Sequence, residues 1–138
     1  MSYKKFIFAL LVYLTSFLSV HSIEPDIFVQ STVNRASKIL SQDLTKEQKM
    51  ERLKTIAEET VDIRGIGFYT LGGARKNLSD TDKEKYIKLF KNYFLKSFSS
   101  RLAEYTNPEI DVQGKNVLNE NYTIVNSVLK GTNERPEI

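Results

Sequence analysis

Between Ser79 and Tyr105, large apolar side chains recur at steps of four and three: Tyr86, Phe90, Phe94, Phe98, Leu102 and Tyr105. That spacing draws one stripe along a helix. Lys83, Lys85, Lys88, Lys91 and Lys96 take much of the remaining circumference. Ser79 is placed to cap the start, and Asp80, Asp82 and Glu84 put negative charge where the helix dipole favours it. Asn107-Pro108 ends the run, because a residue before proline is pushed out of the helical conformation. Burying each large side chain is worth about 1.5–3 kcal/mol, so the stripe must face something apolar. From periodicity alone that something is ordinary protein core before it is a ligand cavity.

Two further helices precede this one. Pro25 suits the first turn of a helix running to about Ser41, with Ile27, Phe28, Ala36, Ile39 and Leu40 as its buried side. Thr45 and Gln48 form a capping box, after which Met50, Leu53, Ile56, Ala57, Thr60 and Val61 keep helical spacing to about Asp62. Glu51, Arg52, Lys54, Glu58 and Glu59 between them form a solvated face. The segment from Val61 to Asn77 is less regular and holds four of the six glycines. Asp62 can cap a short helix carrying Ile66, Tyr69 and Thr70 on one side. The glycines lack the spacing of a phosphate-binding loop and read as small residues that let helices approach, with Gly72-Gly73 ending the short helix.

Periodicity changes after Pro108. Glu109 to Leu118 reads as a strand, Asn119-Glu120-Asn121 as a turn, and Tyr122 to Lys130 as an antiparallel partner. Gly131 to Pro136 reads as a second turn. Two strands alone are marginal, and the long helix offers more apolar surface than one hairpin covers. The expectation is a sequence incomplete at its C-terminus, or one covered by another chain.

At the other end, residues 1–22 read as a secretory signal. Lys4 and Lys5 precede the apolar run from Phe6 to Leu14, and Val20-His21-Ser22 offers small residues for cleavage. The apolar run is short of the ~20 residues a spanning helix needs, so cleavage is preferred to anchoring. Removing this segment lowers the formal charge of +3 to about +1, because both lysines go and no acid does. A basic patch for nucleic acid is thereby set aside. There is no cysteine, and the one histidine, His21, lies in the leader. Disulfides, thiol or imidazole nucleophiles and zinc sites built on them are excluded from the exported part. Asp62, Glu109 and Asp111 remain as acid/base candidates, but no carboxylate pair stands at an interpretable spacing.

The ordered set of features from Val61 to Val112 resembles the MlaC, or toluene-tolerance, family. The features are the acid Asp62, Thr70-Leu71-Gly72, Leu78-Ser79 with polar residues to Lys85, the series Tyr86, Phe90, Phe94, Leu102 and Tyr105, and the strand Ile110 to Val112. The family often has tyrosine where this chain has Phe98. The resemblance implies an α+β fold for residues 23–138, with helices packed on a curved antiparallel sheet of which the first two strands are present. It also implies a pocket for phospholipid acyl chains, with no cofactor, metal or catalysis. Family members are phospholipid carriers of the periplasm, serving an outer-membrane lipoprotein complex and an inner-membrane ABC transporter with an MCE subunit. They continue through further strands and a final helix, so this chain resembles a truncated or degraded copy. The lipid-binding residues expected on this basis are Ile56, Phe68, Leu71, Phe90, Phe94, Phe98, Ile110 and Ile124. The competing reading is a small secreted helical interaction module without a ligand.

Overall fold

The structure, a computed structural model, describes residues 23–130. The signal segment at 1–22 and the turn expected at 131–136 lie outside the described residues. Within them the order is α1 (Pro25–Leu40), α2 (Lys46–Thr60), α3 (Ile63–Thr70), a 3-10 turn (Gly72–Lys76), α4 (Asp80–Leu102), β1 (Glu109–Asn119) and β2 (Tyr122–Lys130). Helices packed against a two-stranded antiparallel sheet make the fold α+β, as expected, with the sheet incomplete.

Pro25 stands in the first turn of α1. The packed side of this helix differs from the expected one. Val29, Val33, Ala36 and Leu40 are wholly or partly buried, whereas Ile27 and Phe28 are exposed. At 100° per residue, 29, 33, 36 and 40 fall in one narrow band, and positions 27 and 28 lie about 120° or more away from Leu40. In α2 the capping box is present: the Gln48 amide donates to Thr45 Oγ1 at 3.2 Å, and Gln48 Oε1 accepts from the Thr45 amide at 3.0 Å. Leu53, Ile56 and Ala57 form its buried side.

Asp62 caps α3 by accepting from the Gly65 amide at 2.8 Å. Ile66, Tyr69 and Thr70 share one side of α3, and that side is exposed, Tyr69 at 86%, whereas the buried residues are Ile63 and Gly67. Gly67 decides this. A Cβ there would lie 2.8 Å from Ile87 Cδ1 and 3.0 Å from Phe90 Cδ1, so bare backbone lets α3 lie close on α4. The chain then turns through Gly72, whose φ of +52° favours glycine.

Ser79 caps α4, accepting from the Asp82 amide at 3.1 Å. The centre of the buried face is Ile87, Leu95 and Ser99, one position round from the aromatic stripe. Phe90, Phe94 and Phe98 are half-buried on its flank, while Tyr105 is buried beyond the helix end. Two apolar clusters result. Leu40, Leu53 and Tyr105 gather Ala36, Ile39, Leu102, Ala103 and Leu129. Ala57, Ile63 and Leu95 gather Val61 and the three phenylalanines.

The strands pair antiparallel around Glu120-Asn121, with Ile110 opposite Leu129 and Lys115 opposite Val125. The register slips at Gln113 and again at Leu118. The hairpin leans chiefly on α1. Ser37 Oγ donates to the Pro108 carbonyl at 3.3 Å, and Lys115 Nζ bridges Asp26, at 2.9 Å, and Glu24. Val117, Leu118 and Tyr122, at the far end of the hairpin, stand in solvent.

Candidate functional site

Where α1, α2, the end of α4 and the hairpin meet, the side chains leave a chamber of about 250 Å³. Val33, Ala36 and Leu40 form the α1 wall, and Leu53, Ile56 and Val61 the α2 wall. Phe98 and Leu102 close it from α4, Tyr105 and Pro108 from the following turn, and Ile110 and Leu129 from the strands. Each element brings its own apolar face, and four such faces of different curvature do not fill the space between them.

Four residues of the lining carry hydroxyls, Thr32, Ser37, Thr60 and Tyr105, and the first three donate theirs to backbone carbonyls. Thr32 Oγ1 donates to the Phe28 carbonyl at 2.9 Å, Ser37 Oγ to Pro108, and Thr60 Oγ1 to the Ile56 carbonyl at 2.7 Å. Among the described residues, no carboxylate, lysine or arginine lines the chamber. The space therefore offers little to water, which needs two to four polar partners to be held. Sealed and empty, a void of this size would cost about 6 kcal/mol at ~24 cal/mol per Å³, comparable to the whole stability of a small domain. An aliphatic chain suits it better. At the ~30 Å³ a water takes in liquid, taken as the share of one methylene, about eight methylenes fit. At ~0.8 kcal/mol each they contribute about 6 kcal/mol of burial.

Beyond the chamber, Phe98 is the last rung of a ladder. Ring centroids of Tyr86, Phe90, Phe94 and Phe98 follow at 6.1, 6.1 and 5.6 Å with interplanar angles of 20°, 29° and 10°. Twelve residues of helix carry this apolar ridge about 18 Å from the chamber towards the start of α4.

Of the residues expected to bind lipid, Ile56, Phe98 and Ile110 come together in the chamber wall. Phe94 and Phe90 stand one and two turns up the ladder, packed on the second cluster. Phe68 lies half-buried beneath the Arg64 guanidinium, 4.9 Å from its ring centroid, and Leu71 is half-buried at the end of α3. Ile124 is 47% exposed on β2, away from the chamber. Val33, Ala36, Leu40, Leu53, Leu102, Tyr105 and Leu129 were not among the expected site residues. The repeat Val29, Val33, Ala36, Leu40 was the signal for the α1 wall.

Charge is kept outside, where it ties elements together. Arg64 holds Glu84 through two hydrogen bonds, one at 2.8 Å, linking α3 to α4. The Arg64 guanidinium lowers the Glu84 pKa, and Glu84 raises that of Arg64. Lys115 likewise lowers the pKa of Asp26, while the two carboxylates raise that of Lys115. Lys91 bridges α4 to Glu58 of α2 at 2.7 Å.

Helices and a hairpin around an uncharged apolar chamber define a small α+β protein suited to holding an aliphatic chain. The chain belongs to the MlaC family: the family model described as MlaC protein matches residues 30–138, a span that takes in every wall of the chamber. MlaC proteins are periplasmic, lipid-binding transport proteins. Comparison with the curated proteins and with solved structures gives no match. Among the described residues, no helix is long and apolar enough to cross a membrane.

Proposed function

We propose that this chain is exported by a cleaved signal at residues 1–22 and binds phospholipid in the periplasm by its acyl tails. It passes that lipid between an outer-membrane lipoprotein complex and an inner-membrane ABC transporter carrying an MCE subunit, in the service of outer-membrane lipid asymmetry. The observation that carries this reading is the chamber, whose lining has apolar walls and three of its four hydroxyls committed to carbonyls. Binding of tails requires burial and no covalent step. Ile56, Phe98 and Ile110 hold the tail, and Phe94 and Phe90 extend the apolar surface along α4. Phe68, Leu71 and Ile124 are proposed to meet lipid when the helices and hairpin part to admit it.

The test is mass spectrometry of organic extracts from purified, folded protein. Phospholipid at near-stoichiometric amount is expected, and its absence from a folded sample overturns the reading. A ligand-free interaction module is favoured by the exposed Val117, Leu118 and Tyr122 of the hairpin. Displacement of a fluorescent fatty acid separates the two, because the module binds none.

A further inference from the structure

On the solvent side of the seam between α1 and α2 lies an open groove of about 350 Å³. Arg35, Lys38 and Ile39 of α1 line it, facing Arg52, Thr55 and Ile56 of α2. Three cations converge there, and the nearby carboxylates are occupied. Glu51 pairs with Lys54, Glu58 with Lys91 and Glu59 with Arg35. Arg52 donates to the neutral Gln42 side chain at 2.7 Å, which leaves it further N–H donors. Lys38 has no ion-pair partner among the described residues. Its place in the last turn of α1 suits the helix dipole, but Arg52 sits mid-helix, where the dipole gives no such reason. Ile56, only 6% exposed, belongs to the lining of both this groove and the apolar chamber. A basic surface and an apolar interior thus share one side chain as partition.

We propose that the α1–α2 groove is a subsite for the phosphate of an anionic lipid head group, held by Lys38, Arg52 and Arg35, with the tail entering the chamber past Ile39 and Ile56. The subsite rests on the lipid-binding reading and adds to it where the head group goes. Guanidinium and ammonium groups suit a phosphate because both donate charged hydrogen bonds, the guanidinium two at once. Arg35 already balances Glu59, so Lys38 and Arg52 supply the excess charge.

The full chain with Lys38→Gln and Arg52→Gln together, compared with the unaltered chain, tests this. Both side chains are exposed, and an unchanged melting curve checks that the fold is kept. Probes are a fluorescent phosphatidylglycerol, a diacylglycerol with the same tails, and inorganic phosphate. Affinity for phosphatidylglycerol is expected to fall roughly tenfold, with diacylglycerol binding unchanged. Equal phosphatidylglycerol binding by both proteins, or an equal loss for both lipids, overturns the subsite and leaves the lipid reading standing. If the unaltered chain binds neither lipid, the lipid reading fails and the subsite with it. Phosphate binding without lipid binding, lost in the double variant, makes the groove a free-anion site and likewise overturns the head-group assignment.

Discussion

Phe94 and Phe98 are the same side chain one turn apart on one helix, yet of the two Phe98 reaches the chamber. Both are half-buried, so truncation of either to alanine is expected to cost about 1.5–3 kcal/mol of stability. Ligand affinity should separate them. Phe98→Ala removes part of the chamber wall and is expected to weaken fatty-acid binding by roughly fivefold in a displacement titration, whereas Phe94→Ala, outside the chamber, costs distinctly less. Equal losses would mean that the ladder, not the chamber, holds the ligand. A second residue with an outsized role carries no side chain. Gly67→Ala drives a methyl group to 2.8 Å from Ile87 Cδ1 and is expected to cost about 1–3 kcal/mol. Gly73→Ala meets nothing within 4 Å and should change the melting temperature little.

Among the elements, α3 is tied to α4 by Arg64 and Glu84 and by the hydrogen bond between the Thr70 and Tyr86 hydroxyls at 2.9 Å. Glu84 has a lowered pKa in the folded protein because Arg64 favours its charged form. Its contribution is therefore complete above the ordinary glutamate range and is lost as pH falls through the lowered value. Arg64→Gln should lower the melting temperature slightly at pH 7, and the part of that difference owed to Glu84 should shrink towards pH 2 as the carboxylate takes up its proton. Lys115 behaves in the opposite sense, its contribution lasting until pH rises through its raised value. Scans at the two pH values check the first of these. Much at this scale was legible in the sequence. Thr45 with Gln48, Asp62, Ser79 and Gly72 marked boundaries through local hydrogen bonds or backbone conformation, and those rules act over three or four residues. Faces were legible where spacing was unbroken, as in α2, and misread where two neighbouring apolar residues competed. Ile27 and Phe28 looked suited to burial, but the side of α1 that packs is set by the hairpin and α2, which local spacing does not encode. The same holds for the chamber. Phe98, Ile56 and Ile110 lie far apart in sequence, and their meeting depends on how the elements pack.

For the molecule as a whole, the hairpin and α1 form one side of the chamber and α2 with α4 the other. The helix side is joined by Lys91–Glu58, and the hairpin side by Lys115 with Asp26 and Glu24. Across the two sides Arg35 of α1 pairs with Glu59 of α2, and because this pair is exposed and exposed pairs are worth little each, separation of the two sides is opposed mainly by the apolar faces themselves. A bound tail adds to those faces. Binding to the folded state at a free concentration of 100 Kd contributes ~2.7 kcal/mol, which raises the melting temperature by on the order of 10 °C for a domain of this size. The committed hydroxyls of Thr32, Ser37 and Thr60 give that response a particular form. A lining that withholds most of its hydrogens has little means of telling a double bond, a branch or a ring from a plain hydrocarbon, except by bulk. Such a protein works as a gauge. In a thermal-shift series of straight-chain fatty acids, each added carbon should strengthen the grip until about the eighth, after which the gain per carbon should fall sharply as the excess runs out over the phenylalanine rungs.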